Sequence, residues 1–388
     1  MNDVVNSSDV AAAGPLALVR ERPQRLAAVH MPKDFAISLS VYRRGGTDAF
    51  LASRPDHGRR HGMRGFDSEY SDIIDYIVRI THRIWEERDV GYIYDTYSHD
   101  ANVWDDHGLQ YGRDKIVVDT LHTTNAFPDI RLVADEVIWA GDDTAGFHTS
   151  HRTVILGANT GWSRYGPPTG RRIRVLCIAN CVARGNEIFH EHVLYNTSSM
   201  LRQLGFDLFE VARDTKRLAA ERPVPANFAA SEPARLPGQG KPALLAFPTA
   251  SFDVTDFVAA FFQNVWNRRM LGEVERRCAA HIVLHGPTDR VYHGTGQYKA
   301  FVLSMLAAFP DLAMTVEDLY WMGNDHEGFL VSIRWEAQAT HAGHGVYGPP
   351  TGRGVRIWGI TQWSIREQRI EAEWTLFNEF GLVMQLVD

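Results

Sequence analysis

Hydrophobic and polar positions along the chain alternate in two distinct rhythms, and each rhythm occurs twice. Ile73, Ile77, Ile80 and Ile84 recur at helical spacing within residues 70–87. Val254, Phe257, Val258, Phe261 and Val265 do the same within 254–267. Asp67 and Ser68 stand ahead of the first run as candidate caps. After each helix the pattern predicts a second short helix and a short strand, near 101–105 and 281–285. A third helix follows over 114–125 and 296–308. Period-two signals then predict strands at about 131–140, 144–156, 172–183 and 187–196 of the first half. Helices followed by an antiparallel run of strands predict an α+β fold.

The two halves are copies of one module. Tyr165-Gly-Pro-Pro-Thr-Gly-Arg171 recurs as Tyr347-Gly-Pro-Pro-Thr-Gly-Arg353. The same offset carries Phe127-Pro-Asp129 onto Phe309-Pro-Asp311, Trp139 onto Trp321, Arg152 onto Arg334, Glu191 onto Glu373 and Asn196 onto Asn378. Each copy is far longer than a solenoid repeat, so each is a domain. The Gly-Pro-Pro-Thr-Gly stretch must turn between strands, because proline has no N–H to donate to a central ladder. The expected organisation is an N-terminal extension over 1–66, partly disordered, then domains at 67–206 and 251–388. Residues 207–250, with six prolines, read as a linker.

Composition narrows the class. The 388 residues are 45% hydrophobic and 22% charged, with a formal net charge of −7. That is a globular profile, with no basic excess for nucleic acid and no apolar run of membrane length. The N-terminus lacks the basic-then-apolar order of a secretory signal. Three cysteines, Cys177, Cys181 and Cys278, argue for a reducing, cytoplasmic setting rather than a disulfide framework. Cys177 and Cys181, on one strand, would lie ~13 Å apart, too far to bridge.

Helices before a curved sheet, Phe-Pro-Asp after the third helix, the Gly-x-Pro-x-Thr-Gly-Arg hairpin and an ending in Leu201-Arg-Gln-Leu-Gly205 together resemble the SnoaL-like polyketide cyclases of the nuclear-transport-factor-2-like superfamily. The resemblance covers roughly 68–206 and 252–388. It implies two cones, each a curved, mainly antiparallel sheet closed by three helices around a small-molecule pocket. It also implies no cofactor, and pairing of outer sheet faces, here as an internal pseudo-dimer that could further assemble as a homo-oligomer. Members of this branch often place an acidic residue near the end of the last strand. Asn196 and Asn378 stand there, and an amide takes no proton at neutral pH.

Differences between the copies locate the candidate chemistry. The face Phe329, Val331, Ile333, Trp335 is apolar, whereas its counterpart reads Phe147, Thr149, His151, Thr153. Ala372, Trp374, Leu376 and Asn378 correspond to His190, His192, Leu194 and Asn196. A polar pocket in the first cone would account for these exchanges, since an unpaired buried polar group costs about 1–3 kcal/mol. His192 and His151 lead as general acid–base groups, followed by Asp105, His190 and Glu191. Alternation sends Glu191 to the face opposite His192, so an outward ion pair with Arg152 competes with catalysis for it. Asn196, Trp104, Tyr97, Trp139, Tyr165 and His107 are candidate ligand contacts. His190-Glu-His192 is also the nearest approach to a metal-binding pattern, but no zinc spacing accompanies it, and the expected site holds no metal. The reading is an enzyme using acid–base catalysis on a small organic molecule: an isomerase, cyclase, dehydratase or hydrolase. A binding protein without catalysis, or a structural module, is the alternative.

Overall fold

The computed structural model describes residues 25–33, 45–53, 61–221 and 252–388. Two six-stranded sheets dominate it. In the first domain a short helix α1 (Thr47–Ala52) and α2 (Ile73–Trp85) precede α3 (Ile93–Thr96), β1 (Tyr97–Asp105) and β2 (Gly108–Tyr111). Then come α4 (Arg113–Ala126), β3 (Arg131–Asp142), β4 (Gly146–Ala158), β5 (Arg172–Arg184), β6 (Glu187–Leu194) and α5 (Thr197–Leu204). The strand order is β2-β1-β6-β5-β4-β3, antiparallel except for the parallel β1–β6 pair.

A connecting helix α6 (Leu208–Glu221) leads to the second domain. Its elements repeat the series: α7 (Val254–Phe261), α8 (Gly272–Arg277), β7 (Cys278–His285), β8 (Val291–His293), α9 (Gly294–Ala308), β9 (Ala313–Asn324), β10 (Gly328–Thr340), β11 (Gly354–Arg366), β12 (Arg369–Phe377) and α10 (Glu379–Leu386). The order β8-β7-β12-β11-β10-β9 is the same, again with one parallel pair, β12–β7. The fold is therefore α+β, in two tandem cones. Each Gly-Pro-Pro-Thr-Gly segment lies in the loop between the two longest strands of its sheet, closed by the bridge Ser163–Gly166 or Gly345–Gly348.

The helices start where local chemistry dictates. The cap of α2 is Asp72, not Asp67 or Ser68: its carboxylate accepts from the Asp75 N–H at 2.8 Å. Asp253 caps α7 in the same way. The isoleucine stripe of α2 is buried against the concave face of the first sheet, beside Leu132 and Trp139.

The first domain reaches upstream of residue 67. Thr47 accepts from the Ala134 N–H with its hydroxyl, Phe50 is buried, and His61 stacks on Trp139. Residues 28–33 bind both domains: His30 contacts Asp142 of β3, while the carbonyls of Pro32 and Lys33 accept from Gly323 and Asn324 of β9. The expected linker begins as α6, whose Val211 and Ala212 join the second core. Its prolines at 223–248 lie outside the described residues. Among the described residues no helix is long and apolar enough to cross a membrane.

The convex faces of the two sheets pack on each other. Asn180 donates to the Ser332 hydroxyl at 3.2 Å, and Gln362 donates to the Ser150 hydroxyl at 2.8 Å. The repeat offset converts one contact into the other, which is the signature of an isologous, two-fold interface. Ile178 with Ile360 and Leu194 with Leu376 form its apolar centre.

Candidate active site

The direction of β6 decides the site. Cys181 pairs in register with Glu191, and Asn180 with His192. Asn180 faces the other domain, so His192 does too, and Glu191 points into the cone. There the Tyr97 hydroxyl donates to Glu191 Oε2 at 2.9 Å. Burial, eased by hydrogen bonds from Tyr97 and Cys181, pushes this carboxyl up to about 7. The outward reading of Glu191 is thus corrected: Arg152, on the outer face of β4, pairs with Asp135 and Gln362.

Glu191 and Tyr97 line a cavity of about 150 Å³. Its walls are mainly apolar, from Ile84, Ile93, Ile130, Leu132, Ile155 and Val175. One side is polar. The end of β1 and the following turn bring Asp105, Asp106 and His107 to the cavity together. Asp105 accepts from the Gln110 side chain at 2.6 Å and from the His107 backbone at 2.7 Å. Asp106 is 2% exposed and accepts from the Thr197 hydroxyl at 2.7 Å through Oδ2, while its Oδ1 has no protein partner. Burial lifts its carboxyl to about 7. His107 and Tyr165 meet at 2.9 Å between Nε2 and the hydroxyl. Burial drops His107 to about 4, so its ring is neutral at physiological pH, and burial raises the Tyr165 phenol. Phe380 of the second domain supports this pair from behind, 5.3 Å from His107 and 6.0 Å from Tyr165.

His151 also faces inward and is buried, and desolvation lowers it to about 4. It lines an adjoining space rather than the main cavity. The remaining candidates lie elsewhere. His192 and Trp104 stack between the two domains, and His190 sits beside His192 on that face, 4.9 Å away. Asn196, in a left-handed conformation, accepts from the Thr288 N–H at 2.9 Å and thereby joins the two domains. Trp139 packs under His61 and Phe147 in the core. Among the described residues no group of three or more His, Cys, Asp or Glu is placed to hold a metal.

Asp106 belongs to the cluster Asp105-Asp106-His107 that follows the short strand in the sequence, but Asp119, Thr120, His122 and Thr123 on α4, with Arg164 beside them, escaped the sequence reading. Arg164 pairs with Asp119 at 3.3 Å. A signal for the α4 group was present. The repeat offset places Phe301, Val302, Ser304 and Met305 at those four positions of α9.

The second cone is filled with rings. Trp363 stands at the position of Cys181, Trp335 at that of Thr153 and Tyr298 at that of Ile116. Trp363 and Tyr298 both donate to Glu373, the counterpart of Glu191, at 2.8 and 2.7 Å. Gly359, at the position of Cys177, makes room for Trp335, since a Cβ there would fall 2.3 Å from its ring.

Residues 256–386 match the model of the SnoaL-like polyketide cyclase family. That match falls in the second domain; the first repeats its strand order and its hairpin motif. Solved structures similar to single domains include a candidate SnoaL-like polyketide cyclase of Jannaschia sp. CCS1, at 16% identity over 34% of this chain and 90% of that one, TM-score 0.32. A candidate polyketide cyclase of Acidithiobacillus ferrooxidans has 24% identity over 36% and 97%, TM-score 0.31. A SnoaL-like polyketide cyclase of Agrobacterium tumefaciens has 17% identity over 35% and 99%, TM-score 0.30. Among curated proteins, none matches this chain in sequence.

Proposed function

We propose that the first cone is the active site of an enzyme that converts a small organic molecule by general acid–base catalysis, while the SnoaL-like second domain serves as its scaffold. One observation carries this reading. Two carboxyls, Glu191 and Asp106, border a single, mostly apolar cavity, and burial brings each to about 7. A carboxyl with that value is divided between acid and base at neutral pH, the condition under which it can either give or take a proton. Asp106, with one oxygen unengaged, is poised to meet a ligand atom. Glu191 is oriented by Tyr97. The His107–Tyr165 pair supplies a neutral hydrogen-bonding group beside them, suited to a carbonyl or hydroxyl oxygen.

The apolar wall and the limited volume suit an uncharged, compact or ring-shaped ligand. The family match directs the first assays to cyclisation or isomerisation. The test is native mass spectrometry of the protein taken from cell extract, to find the ligand, followed by turnover of that ligand. Glu191→Gln and Asp106→Asn are expected to lower kcat by about 100-fold or more while leaving binding in place. Unchanged kcat in both variants would exclude the acid–base role and leave a binding protein.

A further inference from the structure

Next to the main cavity the first cone holds a second chamber of about 60 Å³ that Glu191 also borders. Glu191, Tyr97, Trp85 and Tyr195 border both this chamber and the main cavity, so the two spaces adjoin at Glu191. The far side is made by His151, Thr153, Cys177, Ala179 and Cys181. In the second cone the same positions carry Ile333, Trp335, Gly359, Thr361 and Trp363, and the two tryptophan rings fill the space. The chamber exists because the first copy has small side chains where the second has indoles. It holds one imidazole: His151 is 4% exposed, and its Nε2 has no hydrogen-bond partner. Leaving such a group dry is unfavourable, because it forfeits the hydrogen bond that water gives it in the unfolded chain.

We infer that this chamber is a binding site for water, and that its water links His151 to Glu191. Each water needs roughly 10–15 Å³ of this measure and two to four polar partners, so the chamber holds a few molecules. Glu191 sits two strands from His151 and one diagonal step along, because His151 pairs with Ala179 and Glu191 with Cys181. At ~4.8 Å per strand the two side chains are beyond direct contact and within reach of a short water chain. The neutral imidazole offers either a donor or an acceptor to that chain.

The consequence rests on the acid–base reading of Glu191. A ligand in the main cavity shuts Glu191 off from bulk solvent on that side. Water in the inner chamber keeps the Glu191 carboxylate hydrogen-bonded on the other side, with His151 as a positioning residue for that water.

The experiment uses the full chain. High-resolution crystal structures of the wild type and of Ala179→Leu, which fills the chamber, are compared with the titration of Glu191 followed by infrared spectroscopy of its carboxyl. The groups facing Glu191 are Tyr97 of β1, Cys177 and Cys181 of β5, His151 of β4, and Asp105 and Tyr195, so each spectrum is referenced to Glu191→Gln. We expect ordered water within hydrogen-bond distance of His151 Nε2 in the wild type. We also expect a rise of the Glu191 value by about 1 when that water is displaced. Crystals under xenon provide a second measurement that holds even if Ala179→Leu fails to fold. A wet chamber excludes the gas, whereas His151→Leu admits it. A dry or xenon-filled wild-type chamber overturns the inference, as does a Glu191 titration unmoved by filling the chamber. Loss of the acid–base reading alone has a different signature: the water stays and Glu191→Gln turns over normally.

Discussion

Trp104 and His192 stack with their ring centroids 6.2 Å apart and their planes 12° apart, and the second domain holds the same pair with residue types exchanged: His285 on Trp374, at 5.5 Å and 8°. The stack is therefore a feature of the module's convex face, where β1 meets its parallel neighbour. It accounts for His192 by packing between domains. Trp358 of the second domain meets His192 edge-on at 5.4 Å.

His192→Phe is expected to keep this stack. Its unfolding midpoint in denaturant should move little, by less than about 1.5 kcal/mol, and ligand turnover should be unchanged. His192→Ala removes the ring from a buried interface and should cost about 1–3 kcal/mol. A loss of turnover in His192→Phe with stability intact would return His192 to the catalytic set.

The pH dependence of stability follows from Glu191. Its value rises from 4.5 unfolded to about 7 folded, so between those limits the native state binds more protons than the unfolded chain. Stability contributed by this group is present below pH 4.5 and is lost as pH climbs through 7, by up to about 3 kcal/mol. Glu191→Gln removes that dependence. The difference in melting temperature between variant and wild type should therefore grow in the variant's favour from pH 5 to pH 8. A constant difference across that range would show that Glu191 is ionised throughout.

With both carboxyls near 7, the rate of conversion should have a narrow optimum close to neutrality, since one group must be protonated and the other ionised. A plateau from pH 5 to pH 9 in kcat/KM would contradict the pairing of Glu191 with Asp106.

In the second cone, Trp363→Ala opens a large void and removes a donor from Glu373. The expected cost is about 3–5 kcal/mol by denaturant unfolding. The reverse substitution in the first cone, Cys181→Trp, should block the inner chamber at a smaller cost of about 1–3 kcal/mol.

Gln362 accepts from Arg152 at 2.6 Å and donates to Ser150, so it satisfies two groups of the opposite domain. Gln362→Leu leaves both in a buried interface and is expected to destabilise by about 1–3 kcal/mol. A double-mutant cycle with Ser150→Ala should recover part of that loss.

The sequence by itself determined that the chain is one module written twice. The offset of 182 between the Tyr-Gly-Pro-Pro-Thr-Gly-Arg segments, the helix stripes and the strand alternation are properties of the chain, and they set the α+β order and the hairpin loops. It also separated the two faces of β6, because side chains alternate. Only the tertiary structure decided which face looks into the cone. Burial usually marks the inner face, but here the convex face is covered by the sister domain, so both faces are buried and their compositions do not reveal the direction. His190 and His192 stand where the other copy has Ala372 and Trp374, and they line the space between the domains rather than the cone. The site was assembled from Glu191 on one strand and Asp106 on a turn after another, 85 residues earlier in the chain. Their common value near 7 comes from shared burial, which no local pattern encodes.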